Sequence, residues 1–252
     1  MRNLFQSSLR STVYLNLVCI CIAGLISCQE NSQSVSSSST IGNIKSTTQT
    51  PVLIEVIDTA GKELHPDSLI TIGKKKEPSV SEVYQWKNHL VLYGAIDDLE
   101  GVQQRIRTVY PKAEIKVYQN PFYNFNRKHC SDTTTAKEWD NIILTANLVN
   151  DTSLQCEYLD YHATQFEKWP EVSKGFCNAS FQQLLVYKNG RQLMLVISIP
   201  KGASLDELNP KTTENNPRVD EWNQRMKKYQ EGIEGTTKGE TWVFLKQLRI
   251  NN

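Results

Sequence analysis

Tyr158 and His162 stand four residues apart, so on a helix the phenol and the imidazole lie one turn apart on one face. Leu154, Tyr161 and Gln165 fall at the same spacings of three and four and make that face continuous. An unperturbed imidazole titrates near ~6.5, so close to neutral pH it both accepts and donates protons. Trp222 lies on a second stripe with Val219, Met226, Tyr229 and Ile233. An indole there offers flat apolar contact and one N–H donor. Taken alone, each of these residues reads as core. His65, His89 and His129 are isolated and read as exposed or structural. No CxxC pair occurs, so cysteine spacing gives no zinc or redox motif.

The elements that must position these groups are legible from residue 141 onward. Asn141 to Val149 alternates, with Ile142, Leu144, Ala146 and Leu148 on one face of a strand. Thr152 and Gln155 fit a capping box that opens the helix carrying Tyr158 and His162. Phe181 to Lys188 reads as the next strand, Asn189-Gly190 as a hairpin turn, and Arg191 to Ile199 as the returning strand. Asn216-Pro217 starts the helix of Trp222, with proline in its favoured first turn. Glu240 to Leu248 is a last strand. The order β-α-β-β-α-β is the ferredoxin-like plan, an α+β class with both helices on one face of an antiparallel sheet.

Three stretches are more specific than periodicity. They are Asp151 with Glu157-Tyr158-Leu159-Asp160-Tyr161-His162 and Trp169-Pro170-Glu171; Asn216 to Trp222 with Met226, Tyr229 and Gln230; and Gly239-Glu240-Thr241-Trp242-Val243. Together, over residues 141–248, they resemble the L-rhamnose mutarotase family, whose L-fucose-type members share the tail. The resemblance implies a dimeric α/β-barrel subunit that interconverts the anomers of a deoxyhexose without cofactor or metal. It also implies His162 as the proton-transfer residue, with Tyr158 and Trp222 on the sugar; Trp169 and Tyr187 are further candidate contacts, and Gln183, on the strand face of Leu185, is a candidate replacement hydrogen-bonding group. Two positions depart from the family pattern: Leu185 and Ser198 stand where fucose-type members carry acids. The spacer between His162 and Trp169 is also longer.

Ahead of this lie three segments. Residues 1–27 read as a secretion signal: Arg2 and Arg10, then an apolar run from Val13 to Ile26, roughly 14 residues where a membrane span needs about 20. Leu25-Ile26-Ser27-Cys28 resembles the bacterial lipobox, which implies lipid on Cys28 and a membrane-anchored protein, periplasmic or on the cell surface. Half of the 22 residues from Gln29 to Thr50 are Ser or Thr, so residues 28–50 read as a tether. Residues 51–140 form a smaller α/β module. Its strands are Pro51 to Asp58, His89 to Gly94 and Ala113 to Gln119, with a helix from Asp97 to Tyr110 and a polar connector from Asn120 to Asp140.

A net charge of +1 and a pI of 7.6 offer no electrostatic footprint for nucleic acid. Beyond Cys28 the mature chain keeps Cys130, Cys156 and Cys177, whose pairing the sequence leaves open. The expected partners are a monosaccharide, a membrane through Cys28, and either a second copy or an internal half that mimics one. The expected activity is anomer interconversion. The rivals are a non-catalytic carbohydrate-binding lipoprotein and a structural module on the same fold.

Overall fold

The structure, a computed structural model, describes residues 50–74 and 81–248. The expected signal, the cysteine Cys28 and the tether as far as residue 49 lie outside the described residues.

The leading half runs β1 (Val52–Ile57), α1 (Asp67–Lys74), β2 (Glu82–Trp86), β3 (His89–Gly94), α2 (Leu99–Val109) and β4 (Glu114–Tyr118). All six residues of β1 are buried, as suits a central strand rich in Val and Ile. It is flanked by β3 and β4, and β3 by β2, every pair antiparallel. The carboxylate of Asp98 starts α2 by accepting the Gly101 N–H at 3.0 Å. Two elements here go beyond the sequence reading: α1 and β2. With them the half is a complete strand–helix–strand–strand–helix–strand unit, where three strands and one helix were expected.

Next comes β5 (Tyr123–Asn126), then β6 (Trp139–Leu148), α3 (Thr152–Ala163), α4 (Gln165–Lys168), α5 (Pro170–Asn178) and β7 (Gln183–Asn189). After these follow β8 (Gln192–Pro200), α6 (Leu205–Leu208), α7 (Pro217–Lys227), β9 (Gln230–Glu231) and β10 (Val243–Gln247). The cap of α3 is Asp151 rather than Thr152. The Asp151 carboxylate accepts from the backbone N–H of Ser153 at 2.9 Å and of Leu154 at 3.1 Å. Gly190 takes the first loop position of the β7–β8 hairpin with φ +58, which glycine adopts without steric cost.

The strands form one sheet in the order β4-β1-β3-β2-β10-β6-β8-β7-β5, with β9 beside β6. Within it β4-β1-β3-β2 and β10-β6-β8-β7 repeat the same order, and the β2–β10 pairing joins the two halves. The sheet curls until β4 lies near β7, where Asn189 Nδ2 donates to the Val117 carbonyl at 3.0 Å.

Three cores follow from the two-residue alternation of strand side chains. The outward face of the leading half packs Ile54, Val56, Leu90 and Leu92 against Leu69, Ile72, Val102 and Ile106 of α1 and α2. The outward face of the trailing half packs Leu144, Leu184, Val186 and Ile197 against Tyr158, Val172, Trp222 and Met226. The inward faces of both halves share a third core, with Leu53, Tyr93 and Tyr118 meeting Ile143, Tyr187 and Met194.

The segment expected as a connector is part of the trailing half. Its strand β5 pairs with β7, and Tyr123, Phe125 and Cys130 sit in the core of α3, α5 and α7. A disulfide ties Cys130 to Cys177 at the end of α5. The packing therefore divides nearer Tyr118 than the expected residue 140.

Candidate functional site

Between α3, α7 and the outward face of β7 and β8 lies a cleft of about 910 Å³, within the ~300–1,000 Å³ usual for small-molecule sites. Its floor is the sheet: Leu184 and Val186 from β7, Leu195 and Ile197 from β8. Tyr158, His162 and Trp222 all border it. The imidazole centroid of His162 is 4.3 Å from the Tyr158 ring and 5.3 Å from the Trp222 indole. The three residues that the sequence placed on two separate helices thus meet at one hollow.

His162 is 8% exposed and wrapped by rings, with Phe122 at 5.6 Å and Tyr123 at 5.3 Å, both edge-on. Its Nδ1 lies 2.9 Å from the Tyr158 carbonyl oxygen. A carbonyl can only accept, so Nδ1 carries the hydrogen and the neutral ring has its lone pair on Nε2. Nε2 has no protein hydrogen-bond partner among the described residues, nor is it sealed from solvent. Burial drives the imidazole pKa down to about 4, opposed by the hydrogen bond to Tyr158. Near neutral pH the ring is therefore uncharged, at the border of the cleft, with its lone pair on Nε2.

The Tyr158 hydroxyl is held by Gln230, whose Nε2 donates to it at 3.1 Å. The same amide accepts from Trp242 Nε1 at 3.0 Å through Oε1. The phenol, having accepted from Gln230, keeps its own hydrogen to donate. Burial pushes its pKa up, so it stays protonated. Polar groups of α7 and the closing segment, among them Asp220, Asn223, Gln224 and Thr241, complete the rim.

The other expected contacts lie elsewhere. Trp169 does not border the cleft; it packs edge-on against Trp222, ring centroids 5.6 Å apart, with the Arg218 guanidinium 3.9 Å over its own ring. Tyr187 and Gln183 correct the sequence reading. Leu184 and Val186 face the cleft, so alternation turns Gln183, Leu185 and Tyr187 to the inward side of the sheet. There the Tyr187 hydroxyl donates to the Pro51 carbonyl at 2.8 Å. The two departures from the family pattern, Leu185 and Ser198, fall on that same inward side and leave the His162 cleft unaltered. His89 is neither exposed nor isolated: it is buried against Glu55.

Three contributors escaped the sequence reading as site residues. Gln230 and Trp242 were visible within the matching stretches, but only as pattern. Tyr123 comes from β5 across the sheet, and its hydroxyl donates to Gln165 Oε1 at 2.6 Å. No local signal marks it. Among the described residues no group of three or more His, Cys, Asp or Glu side chains is placed to hold a metal ion.

Residues 141–248, the segment that builds most of this cleft, match the family model described as L-rhamnose mutarotase. An L-fucose mutarotase of Xanthomonas campestris is 26% identical over 97 residues, covering 38% of this chain and 75% of that protein. A UPF0734 protein of Dictyostelium discoideum is 28% identical over 99 residues, covering 38% of this chain and 77% of its own. A putative monooxygenase of Fusobacterium nucleatum superposes with a TM-score of 0.43 at 8% identity, covering 81% of this chain and 95% of that chain.

Proposed function

We propose that the trailing half, which matches the L-rhamnose mutarotase family model over residues 141–248, interconverts the α and β anomers of a deoxyhexose of the L-rhamnose or L-fucose type. The observation that carries this reading is the convergence of the His162 lone pair, the Tyr158 hydroxyl and the Trp222 indole on one open cleft. Mutarotation asks for little more. The anomeric hydroxyl passes its proton to His162 Nε2 while the C1–O5 bond breaks and C1=O1 forms. The imidazolium returns the proton to O5. Rotation about C1–C2 and the reverse steps close the ring on the other face. Tyr158 donates a hydrogen bond to a sugar oxygen, and Trp222 lies against the apolar face of the ring. Positioned proton transfer of this kind contributes about 10²–10⁴-fold, which suffices for a reaction that already proceeds in water.

The repeated strand order supports a second element of the reading. The leading half takes the place of a partner subunit in a fused form of the dimeric α/β-barrel plan. The lipobox-like Leu25-Ile26-Ser27-Cys28 supports a proposed location outside the cytoplasm with lipid on Cys28 as the membrane anchor; Cys28→Ser should release the protein from the membrane fraction.

Anomeric exchange measured by NMR on L-fucose and on L-rhamnose tests the activity. Wild type should accelerate exchange of at least one sugar, and His162→Ala should fall to the uncatalysed rate. Equal rates for both proteins would remove the enzymatic reading, and calorimetric sugar binding without acceleration would put the carbohydrate-binding rival in its place.

A further inference from the structure

The curled sheet buries a second polar constellation, far along the chain from His162 and on the opposite face of the strands. Glu55 is fully buried at the centre of β1. Its Oε1 accepts from His89 Nδ1 at 2.8 Å and from Gln192 Nε2 at 2.9 Å, and its Oε2 accepts from the Tyr118 hydroxyl at 2.9 Å. Gln192 Nε2 also donates to Thr145 Oγ1 at 3.1 Å, and Lys116 Nζ donates to Gln192 Oε1 at 2.8 Å. Glu55, His89, Lys116 and Tyr118 come from the leading half; Thr145 and Gln192 come from the trailing half. The cluster exists only where the two inward faces meet.

Above it opens a cavity of about 700 Å³ with His89, Lys116 and Gln192 in its lining. The carboxylate fixes the His89 tautomer, since Nδ1–H must point at Glu55. Nε2 is left without a protein partner among the described residues and is not sealed from solvent. A core histidine with only a structural task would be expected to satisfy both ring nitrogens.

The lining indicates what meets that nitrogen. Four side-chain amides, Asn88, Asn147, Asn189 and Gln192, border the cavity, and each amide both donates and accepts. The charges balance: Asp58, Glu114 and Glu234 against Lys87, Lys116 and Arg191. The three cations are moreover engaged by the protein, Lys87 at the Gly235 carbonyl, Lys116 at Gln192, and Arg191 at Leu148 and Glu231. Lys116 and Arg191 are also paired with Glu114 at 3.6 Å and Glu231 at 2.6 Å, so the lining carries no net positive charge to draw an anion, and an apolar ligand would leave unmet the Asn147 amide, which has no side-chain partner among the described residues.

We infer that this mouth of the curled sheet is a second binding site, for a neutral hydroxyl-rich ligand of the mono- or disaccharide class, one of whose hydroxyls hydrogen-bonds to His89 Nε2. It does not depend on the His162 reaction, which lies on the other side of the sheet.

The test follows the imidazole ¹⁵N resonances of the full chain by long-range ¹H–¹⁵N NMR. The probes are methyl α-L-rhamnopyranoside and sucrose, neither able to mutarotate, with inorganic phosphate as the anionic control. At least one sugar should move His89 Nε2 saturably, with the shift retained in His162→Ala. Phosphate should not move it. Asn147→Leu, a substitution at the cavity edge that leaves the buried cluster intact, should weaken the effect by roughly fivefold, the worth of one hydrogen bond. A His89 resonance that ignores both sugars, or that answers phosphate instead, overturns the proposal. So does a shift that disappears in His162→Ala, because it would report the other cleft.

Discussion

The imidazole of His162 donates from Nδ1 to the carbonyl of Tyr158, its own i−4 neighbour, at 2.9 Å. One helical turn thereby sets both the tautomer of the histidine and its direction relative to the phenol. With Nδ1 committed, the reactive nitrogen is Nε2, and burial keeps that nitrogen unprotonated down to about pH 4.

A pH dependence with a definite sign follows. The neutral ring is the base, so kcat/KM for anomeric exchange should stay level from neutral to mildly acidic pH. It should fall only as pH approaches about 4, well below the ~6.5 of a solvated histidine. A midpoint near ~6.5 would mean that the ring is solvated in the working protein.

The same depression couples to stability. Above ~6.5 both folded and unfolded forms hold a neutral imidazole. As pH falls from there, the unfolded chain binds a proton that the buried ring refuses, so stability declines until the folded group titrates at about 4. The span corresponds to roughly 3 kcal/mol at most. Denaturant unfolding of wild type and His162→Asn should therefore show the wild-type advantage shrinking between those two pH values.

Gln230 joins the Tyr158 hydroxyl to Trp242 Nε1 through one amide. In Gln230→Leu the indole N–H loses its acceptor and the phenol its donor, at a cost of about 1–3 kcal/mol for each group left buried and unmet. The phenol should also lose its fixed direction. We expect kcat/KM to fall about tenfold with KM raised, while the pH midpoint stays where His162 puts it. Steady-state exchange kinetics together with urea midpoints separate the two effects.

How much of this was legible in the sequence depends on whether a signal is local. Tyr158, His162 and Trp222 lay on helical stripes that by spacing alone read as core; the family resemblance marked them as site residues, and all three border the cleft. β3 was read to its ends, because a run of apolar residues bounded by Asn88 and Gly94 has few other conformations. Tyr187 and Gln183 were misplaced for a physical reason. β7 is buried on both faces, with Leu184 and Leu185 alike below 10% exposure, so hydrophobicity carries no parity that tells one face from the other. α1 and β2 are eight and five residues long and lie on either side of a lysine-rich stretch, which drowned their short periodicity. Tyr123 and the Glu55–His89 pair arise from strand register, which no window of sequence contains.

The disulfide offers a prediction about the cleft as well as the fold. Cys130 and Cys177 are separated by 47 residues, and closing a loop of that size restricts the unfolded chain by about 3–4 kcal/mol. The bridge also fastens the segment after β5 to α5, and β5 carries Tyr123 against His162. Cys130→Ser with Cys177→Ser should lower the thermal midpoint and also slow anomeric exchange. Adding reductant to wild type should move both quantities in the same direction.

Glu55 gives the sharpest test of how the two halves are held. Its carboxylate receives His89 and Tyr118 from one half and Gln192 from the other. Glu55→Ala would take the carboxylate acceptor from three buried donors, at a cost of about 1–3 kcal/mol for each hydrogen left unmet. Glu55→Gln keeps the shape and one acceptor oxygen, so it should cost less than half as much. If the cluster clasps the halves together, amide hydrogen exchange in Glu55→Gln should speed up in β4 and β8, whose Tyr118 and Gln192 meet at the carboxylate. The outward cores around Ile106 and Val172 should keep their protection, since their packing does not involve the inward face. Uniform acceleration in all three cores would instead make Glu55 an ordinary contributor to global stability and the halves a single cooperative unit.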